Sequence, residues 1–302
     1  MRRTLLVVGA ALIAVGALAA PAGAVLDPEP LTTWGSSGTG DGQFQIATGV
    51  GVDAEGRIFV GDDFGHRVQK FAPDTSFLTE FGTGVPASLD RPYGIEVDTK
   101  RKRVWVASSN NNKIVAFKQN GAFVRSVSGD GPVTLFVPYD VAVDPKNGDV
   151  YVVEIFAERV VRFSKNGVYK DDWPVTGVDA PRLKGIVIDP KNRDVYVTDD
   201  ANDRVVVYTR QGDFVREWDT WTGGSVLTFE DPWGITASKR RIYVGDNDAG
   251  LVFEFTRAGV YQAETDGGTQ PFTNPVGMSL TRNGSKLFVA GGGQNKVYKF
   301  RT

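Results

Sequence analysis

Pro92-Tyr93-Gly94-Ile95-Glu96-Val97-Asp98 and Pro138-Tyr139-Asp140-Val141-Ala142-Val143-Asp144 are one seven-residue phrase written twice. The phrase recurs as Thr48-Gly49-Val50-Gly51-Val52-Asp53, Leu183-Lys184-Gly185-Ile186-Val187-Ile188-Asp189, Pro232-Trp233-Gly234-Ile235 and Pro275-Val276-Gly277-Met278. Aligning Gly49, Gly94, Asp140, Gly185, Gly234 and Gly277 gives spacings of 45, 46, 45, 49 and 43 residues. A fixed period of this length marks a repeat architecture whose units bury their apolar faces against one another.

Each phrase opens a unit of four strands. The second strand has a Val-rich or aromatic centre, as in Val104-Trp105-Val106 and Val150-Tyr151-Val152. A polar turn leads to a third, such as Arg204-Val205-Val206-Val207-Tyr208, and a fourth closes most units, as Phe77 to Phe81 does. Apolar residues alternate or sit in short runs bounded by Gly, Asn, Asp and Pro, the pattern of strands and turns with no sustained helical period. Four antiparallel strands per unit of this size make a propeller blade, so the sequence predicts an all-β, six-bladed β-propeller. The sixth unit stops at Phe300, before any fourth strand. Leu31-Thr32-Thr33-Trp34 is the orphan strand expected to pair onto it and close the ring, removing an open sheet edge.

The connector Trp34-Gly35-Ser36-Ser37-Gly38-Thr39-Gly40-Asp41-Gly42-Gln43-Phe44 and the turn Val60-Gly61-Asp62-Asp63-Phe64-Gly65-His66-Arg67-Val68 resemble the NHL-repeat family of β-propellers. The copy of that turn at Val197 to Val205 fits better still, and the likeness runs from about Leu31 to Phe300. The resemblance implies the propeller fold. It leaves the function open, since the family spans binding modules, ligase-associated domains, extracellular sensor domains and relatives of lyases and lactonases.

Composition narrows the chemistry. The chain has 302 residues and no cysteine, which excludes disulfides, thiolate metal sites and a Cys nucleophile. One histidine, His66, excludes any metal site built on two or three imidazoles. With 34 basic and 36 acidic residues, nothing in the overall charge calls for nucleic acid. No P-loop, dinucleotide fingerprint, G-x-S-x-G elbow or H-E-x-x-H helix is present.

Residues 1–24 read as a cleaved secretory signal peptide: a basic Met1-Arg2-Arg3, an apolar run from Leu5 to Ala20, and a small-x-small end at Ala22-Gly23-Ala24. The run is shorter than the roughly 20 residues a spanning helix needs. Residues 25–302 then form one propeller domain, expected to be secreted, outside the cell or in its envelope, and monomeric because a six-repeat ring is complete in itself.

In propellers of this kind the loop before the innermost strand and the turn between the second and third strands share one face, around the mouth of the central channel. Candidate site residues gather there. Two carboxylates break the repeat's own rule. Asp140 stands where the other units carry Gly, and Glu96 where they carry Gly51, Ala142, Val187, Thr236 and Ser279. A carboxylate among small residues near the axis must reach channel water, find a partner, or be costly to bury. Both are candidates for catalysis. With Asp199, Asp246 and Asn247 they are candidate donors to one divalent cation such as calcium. The turn acids Asp62, Glu154, Asp199 and Asp246 have a structural role open to them as well, capping loop amides and, in three turns, pairing with Arg67, Arg159 and Arg204 five residues on. Tyr93, Tyr139 and Trp233, with Phe64, His66 and Phe156 in the turns, are candidate ligand-binding residues, the aromatics able to stack on a sugar or grip a peptide.

Two functions follow as expectations. The first is an extracellular binding or scaffold propeller presenting its loop face to a protein, peptide, glycan or cell-envelope component. The second is the metal-centred lactonase or lyase kind of enzyme that similar propellers support. The resemblance implies an acid–Asn–Asp set at the axis for the lactonase version, with Glu96, Asp140, Asp199 and Asn247 as donors, and several histidines for the amidating-lyase version, which this chain lacks.

Overall fold

A computed structural model describes residues 26–129, 132–222 and 226–302; within 220–227 only backbone is described. The leader expected over residues 1–24 lies outside the described residues. Six four-stranded antiparallel sheets follow one another around a ring. Their innermost strands are Ala47–Val52, Pro92–Asp98, Pro138–Val143, Leu183–Ile188, Pro232–Ala237 and Pro275–Leu280, each packed beside the next and the last beside the first. Thr32–Trp34 pairs antiparallel with Lys296–Arg301 in the register Thr32 to Lys299 and Trp34 to Val297, so the N-terminal segment supplies the outer strand of blade six as its sequence predicts. The fourth strands of blades three and five are Tyr169–Pro174 and Tyr261–Thr265.

Apolar side chains form six clusters, and each spans two adjacent blades. One joins Trp105, Ile114 and Val127 of blade two to Val141, Val152 and Phe163 of blade three. Another joins Phe288 and Val297 of blade six to Val50, Val60 and Phe71 of blade one, sealing the closure. Burial between blades drives assembly of the ring, because a single sheet of this length cannot cover its own faces.

The glycines of the repeated phrase have a steric cause. A Cβ on Gly49 would stand 2.2 Å from the Tyr93 carbonyl oxygen, and one on Gly277 2.3 Å from that of Thr48. The innermost strands meet backbone to backbone here, and only a residue without a side chain fits. Asp140 is the exception, and its carboxylate bridges the seam. Oδ2 accepts the Ile186 N–H of blade four at 2.9 Å, and Oδ1 accepts its neighbour Val141 N–H at 2.8 Å.

The turn between the second and third strands repeats a second device. Asp62 accepts the Gln45 N–H at 2.7 Å and the Arg67 guanidinium at 3.0 Å. Asp199 accepts the Arg182 N–H at 3.0 Å and Arg204 at 2.9 Å. Asp246 accepts the Glu230 and Asp231 N–H groups at 2.8 and 3.1 Å. Each acid ties its blade to the chain arriving from the blade before, and all three are fully buried. Their oxygens are spent on loop amides and guanidinium groups.

Candidate functional site at the channel mouth

The residue before each close-approach position marks the channel mouth: Thr48, Tyr93, Tyr139, Lys184, Trp233 and Val276, one per blade. These six, with the residues just below them, line a cavity of about 50 Å³ that runs down to Glu96, Val187 and Thr236. The same three residues then line the narrow end of a wider funnel of about 670 Å³ that opens on the opposite face. Glu96 therefore stands at the waist of the channel.

Large side chains on four consecutive blades form one connected group. The Tyr93 and Tyr139 rings stack with centroids 4.3 Å apart and 21° between planes. Tyr139 meets Trp233 edge-on at 6.0 Å. Lys184 sits between them, its Nζ 4.6 Å from the Tyr139 centroid and 4.0 Å from that of Trp233, a cation held on two aromatic faces. Blades six and one contribute only Val276 and Thr48, so the mouth has an aromatic wall and an open side.

Charged residues outside the wall hold it in place. Asp63 accepts Arg91 through both oxygens at 2.9 and 2.7 Å, and Arg91 also donates to the Tyr93 hydroxyl at 2.8 Å. The Arg91 guanidinium lies 4.8 Å from the Phe64 ring. Trp233 Nε1 donates to Asp231 at 2.7 Å, and Asn247 donates to the same carboxylate at 2.8 Å. Arg182 Nε donates to Asp200 at 2.6 Å and keeps half its side chain exposed. Phe64, Phe136 and Phe156 are about half-exposed or more on this face, and Phe136 and Phe156 lie 6.3 Å apart.

Both channel carboxylates hold their protons unusually strongly. Burial pushes Glu96 up to about 8, helped by the charges of Asp140 and Asp98, with only the Val97 backbone amide acting the other way. Burial pushes Asp140 up to about 7 against the two amides it accepts. Each carboxylate still keeps some surface on the channel, so water there moderates the effect. A carboxyl that binds its proton more tightly when folded makes stability fall as pH rises from the unfolded value, near 4.5, through about 8. Glu96→Gln is therefore expected to leave the urea midpoint nearly unchanged at pH 4 and to raise stability at pH 8.5 by on the order of 1 kcal/mol. Parallel wild-type and variant curves across that range would count against a raised Glu96.

The five metal candidates do not converge. Glu96 and Asp140 share the channel, while Asp199 and Asp246 are sealed in the turns with their oxygens taken. Asn247 lies in the outer network, bonded to Asp231 and accepting Asn274 at 2.5 Å. Among the described residues no three acidic or histidine side chains gather as metal ligands. Of the five candidates only Glu96 and Asp140 share a cavity, and two carboxylates fall short of the six to eight oxygens that calcium takes. His66 lies on the rim, its Nδ1 accepting the Arg91 N–H at 3.3 Å and 3.2 Å from Asp90. Its backbone is left-handed, as in Asn112, Glu158, Asp203, Gly250 and Asn295 at the same place in the other blades.

Tyr93, Tyr139 and Trp233 come together as one wall, with Phe64 beside it through Arg91 and Phe156 elsewhere on the face. Sequence reasoning passed over Lys184, Arg182, Asp200, Asp231 and Phe136. Lys184 was within reach, because it precedes Gly185 as Tyr93 precedes Gly94.

No protein-family model matches the chain, and no curated protein matches it in sequence. Among solved structures it is similar to virginiamycin B lyase from Staphylococcus aureus, with a TM-score of 0.62 at 14% identity over 89% of this chain and 94% of that one. It is similar to a catalytically inactive histidine-to-alanine variant of that enzyme with quinupristin, with a TM-score of 0.65 at 14% identity over 92% and 99%. A streptogramin B lyase structure gives 0.61 at 15% identity over 88% and 95%. At these identities the likeness shows the shared propeller fold alone.

Proposed function

We propose that the protein is an exported binding propeller that holds a peptide segment of a partner at its channel mouth. The stacking of Tyr93, Tyr139 and Trp233 around Lys184 carries this reading. Large, rigid aromatic side chains at a concave opening give contact area at low entropic cost. The carboxylates around them are held by Arg91, Arg182, Asn247 and the indole, and the one open carboxylate oxygen, Asp200 Oδ2, is buried, so the face offers mainly apolar rings and the terminal nitrogens of Arg182. That suits apolar side chains with an acidic group among them better than the hydroxyls of a glycan. The exposed Phe64, Phe136 and Phe156 extend the apolar contact outward.

Peptides selected by display against the purified protein are expected to bind the mouth. Trp233→Ala should weaken them by about 2 kcal/mol, roughly 30-fold, in a titration followed by anisotropy. Unchanged affinity in a folded Trp233→Ala protein would place the binding surface elsewhere.

The architecture shared with the lyases favours a second reading, in which Glu96 moves a proton at the channel waist. Substitution of a histidine inactivates one of those enzymes, whereas the single histidine here lies on the rim. Turnover of a bound peptide that disappears in Glu96→Gln while binding survives would establish that reading in place of the first.

A further inference from the structure

Lys184 is a nearly buried amine that lines the mouth cavity and is held only by a loose ion pair. Its one close carboxylate is Asp200, whose Oδ2 is 3.5 Å away, beyond a good hydrogen bond. That same Oδ2 is buried without any hydrogen-bond partner, while Oδ1 is fixed by Arg182 at 2.6 Å. A buried ion pair this loose, with its amine on a cavity, leaves both the amine and the carboxylate oxygen able to take a further partner.

We propose that Lys184 is a nucleophilic amine that condenses with the carbonyl carbon of an aldehyde or ketone entering the mouth, forming an imine. This does not depend on peptide binding at the same face. The neutral Nζ attacks the carbonyl carbon, forming a C–N bond as the carbonyl π pair moves onto oxygen. The proton shed by nitrogen passes to Asp200 Oδ2 and on to that oxygen, giving a neutral carbinolamine. The nitrogen lone pair then expels the hydroxyl, and the remaining N–H proton passes through Asp200 to it, so that water leaves and a neutral imine remains. The sum is one amine and one carbonyl in, one imine and one water out, with no change of oxidation state. Arg182 acts as a positioning residue by holding Asp200, and Tyr139 and Trp233 form the walls.

The groups facing Lys184 pull in opposite directions. Burial lowers the affinity of its amine for a proton and Arg182 adds to that, while Asp200 and Asp231 oppose it. Burial and the nearby Asp200 raise Asp231 to about 6, which reduces its opposition below that pH. The net direction is a lowered Lys184, the state in which lysines act as nucleophiles. An ordinary surface lysine, with a pKa of about 10.4, is neutral in roughly one molecule in a few thousand at pH 7.

The test is reductive trapping of the purified protein at pH 7 with acetaldehyde or glyoxylate and cyanoborohydride, mapped by peptide mass spectrometry. Lys184 is expected to be alkylated about tenfold faster than the exposed Lys100 and Lys239, with the advantage shrinking as pH rises towards 10. The fast-labelled site should vanish in Lys184→Arg. Labelling of Lys184 no faster than that of Lys100 and Lys239, or an advantage that does not depend on pH, would overturn the proposal. Peptide affinity measured separately reports on the binding reading, so either can fail without the other.

Discussion

Replacing Gly49 by alanine is expected to destabilise the protein by about 2–3 kcal/mol and to lower its melting temperature by about 5–10 °C. The added methyl would meet the Tyr93 carbonyl oxygen at 2.2 Å and the Ile95 nitrogen at 2.7 Å, both backbone atoms of the neighbouring innermost strand. Neither can rotate away as a side chain could. Relief requires moving a strand packed on both sides, and that motion spreads into the clusters on either seam. Gly84→Ala is the control, since a Cβ there has nothing within 4 Å. Thermal unfolding of the two variants should separate them clearly. Equal melting temperatures would mean that the innermost strands are not in backbone contact.

Asp199→Ala is expected to cost about 3 kcal/mol or more. Its carboxylate holds the buried Arg204 guanidinium, the Arg182 amide and both bonds from the Asn202 side chain. Removing it leaves a cation with almost no water contact and only the half-exposed Glu217 as a counter-charge. The loss should persist in high salt, because a buried pair is poorly screened. Asp199→Ala combined with Arg204→Met should recover part of the stability, since an apolar side chain tolerates the site that an unpaired charge does not. Urea denaturation of the single and double variants at low and high ionic strength measures all three effects. A double variant less stable than the sum of its parts would mean that Arg204 is held chiefly by other contacts.

The fold was legible because its cause is local and repeated. A phrase of alternating apolar residues with a glycine at one place shows the strand, and its recurrence shows the ring. Even the closure could be read, from a missing strand at one end and a surplus one at the other. The site was legible only in part. Tyr93, Tyr139 and Trp233 stood out because they fill one position of the phrase, yet Lys184, at the same position, did not, since a lone lysine between apolar residues reads as a solvated side chain. Its partners come from other stretches. Asp200 follows the second strand of its blade, and Trp233 and Asp231 belong to the next blade, so neither spacing nor composition joins them. Asp140 shows the reverse limit. The repeat marks it as an exception, but only three-dimensional placement reveals that its carboxylate is used to bond the Ile186 amide across a seam.

The ring offers two openings, and only one carries the aromatic wall. The funnel on the opposite face is lined by Lys100, Lys239, Arg240 and Arg282, with no aromatic wall. The most direct measurement is photo-crosslinking of a display-selected peptide to the wild-type protein, with the linked residues found by mass spectrometry. Crosslinks are expected at the mouth and its rim, around Phe64, Tyr93, Phe156, Arg182 and Trp233. Crosslinks gathered instead around Lys100, Lys239 and Arg282 would contradict that expectation, and would move the functional face to the other end of the channel.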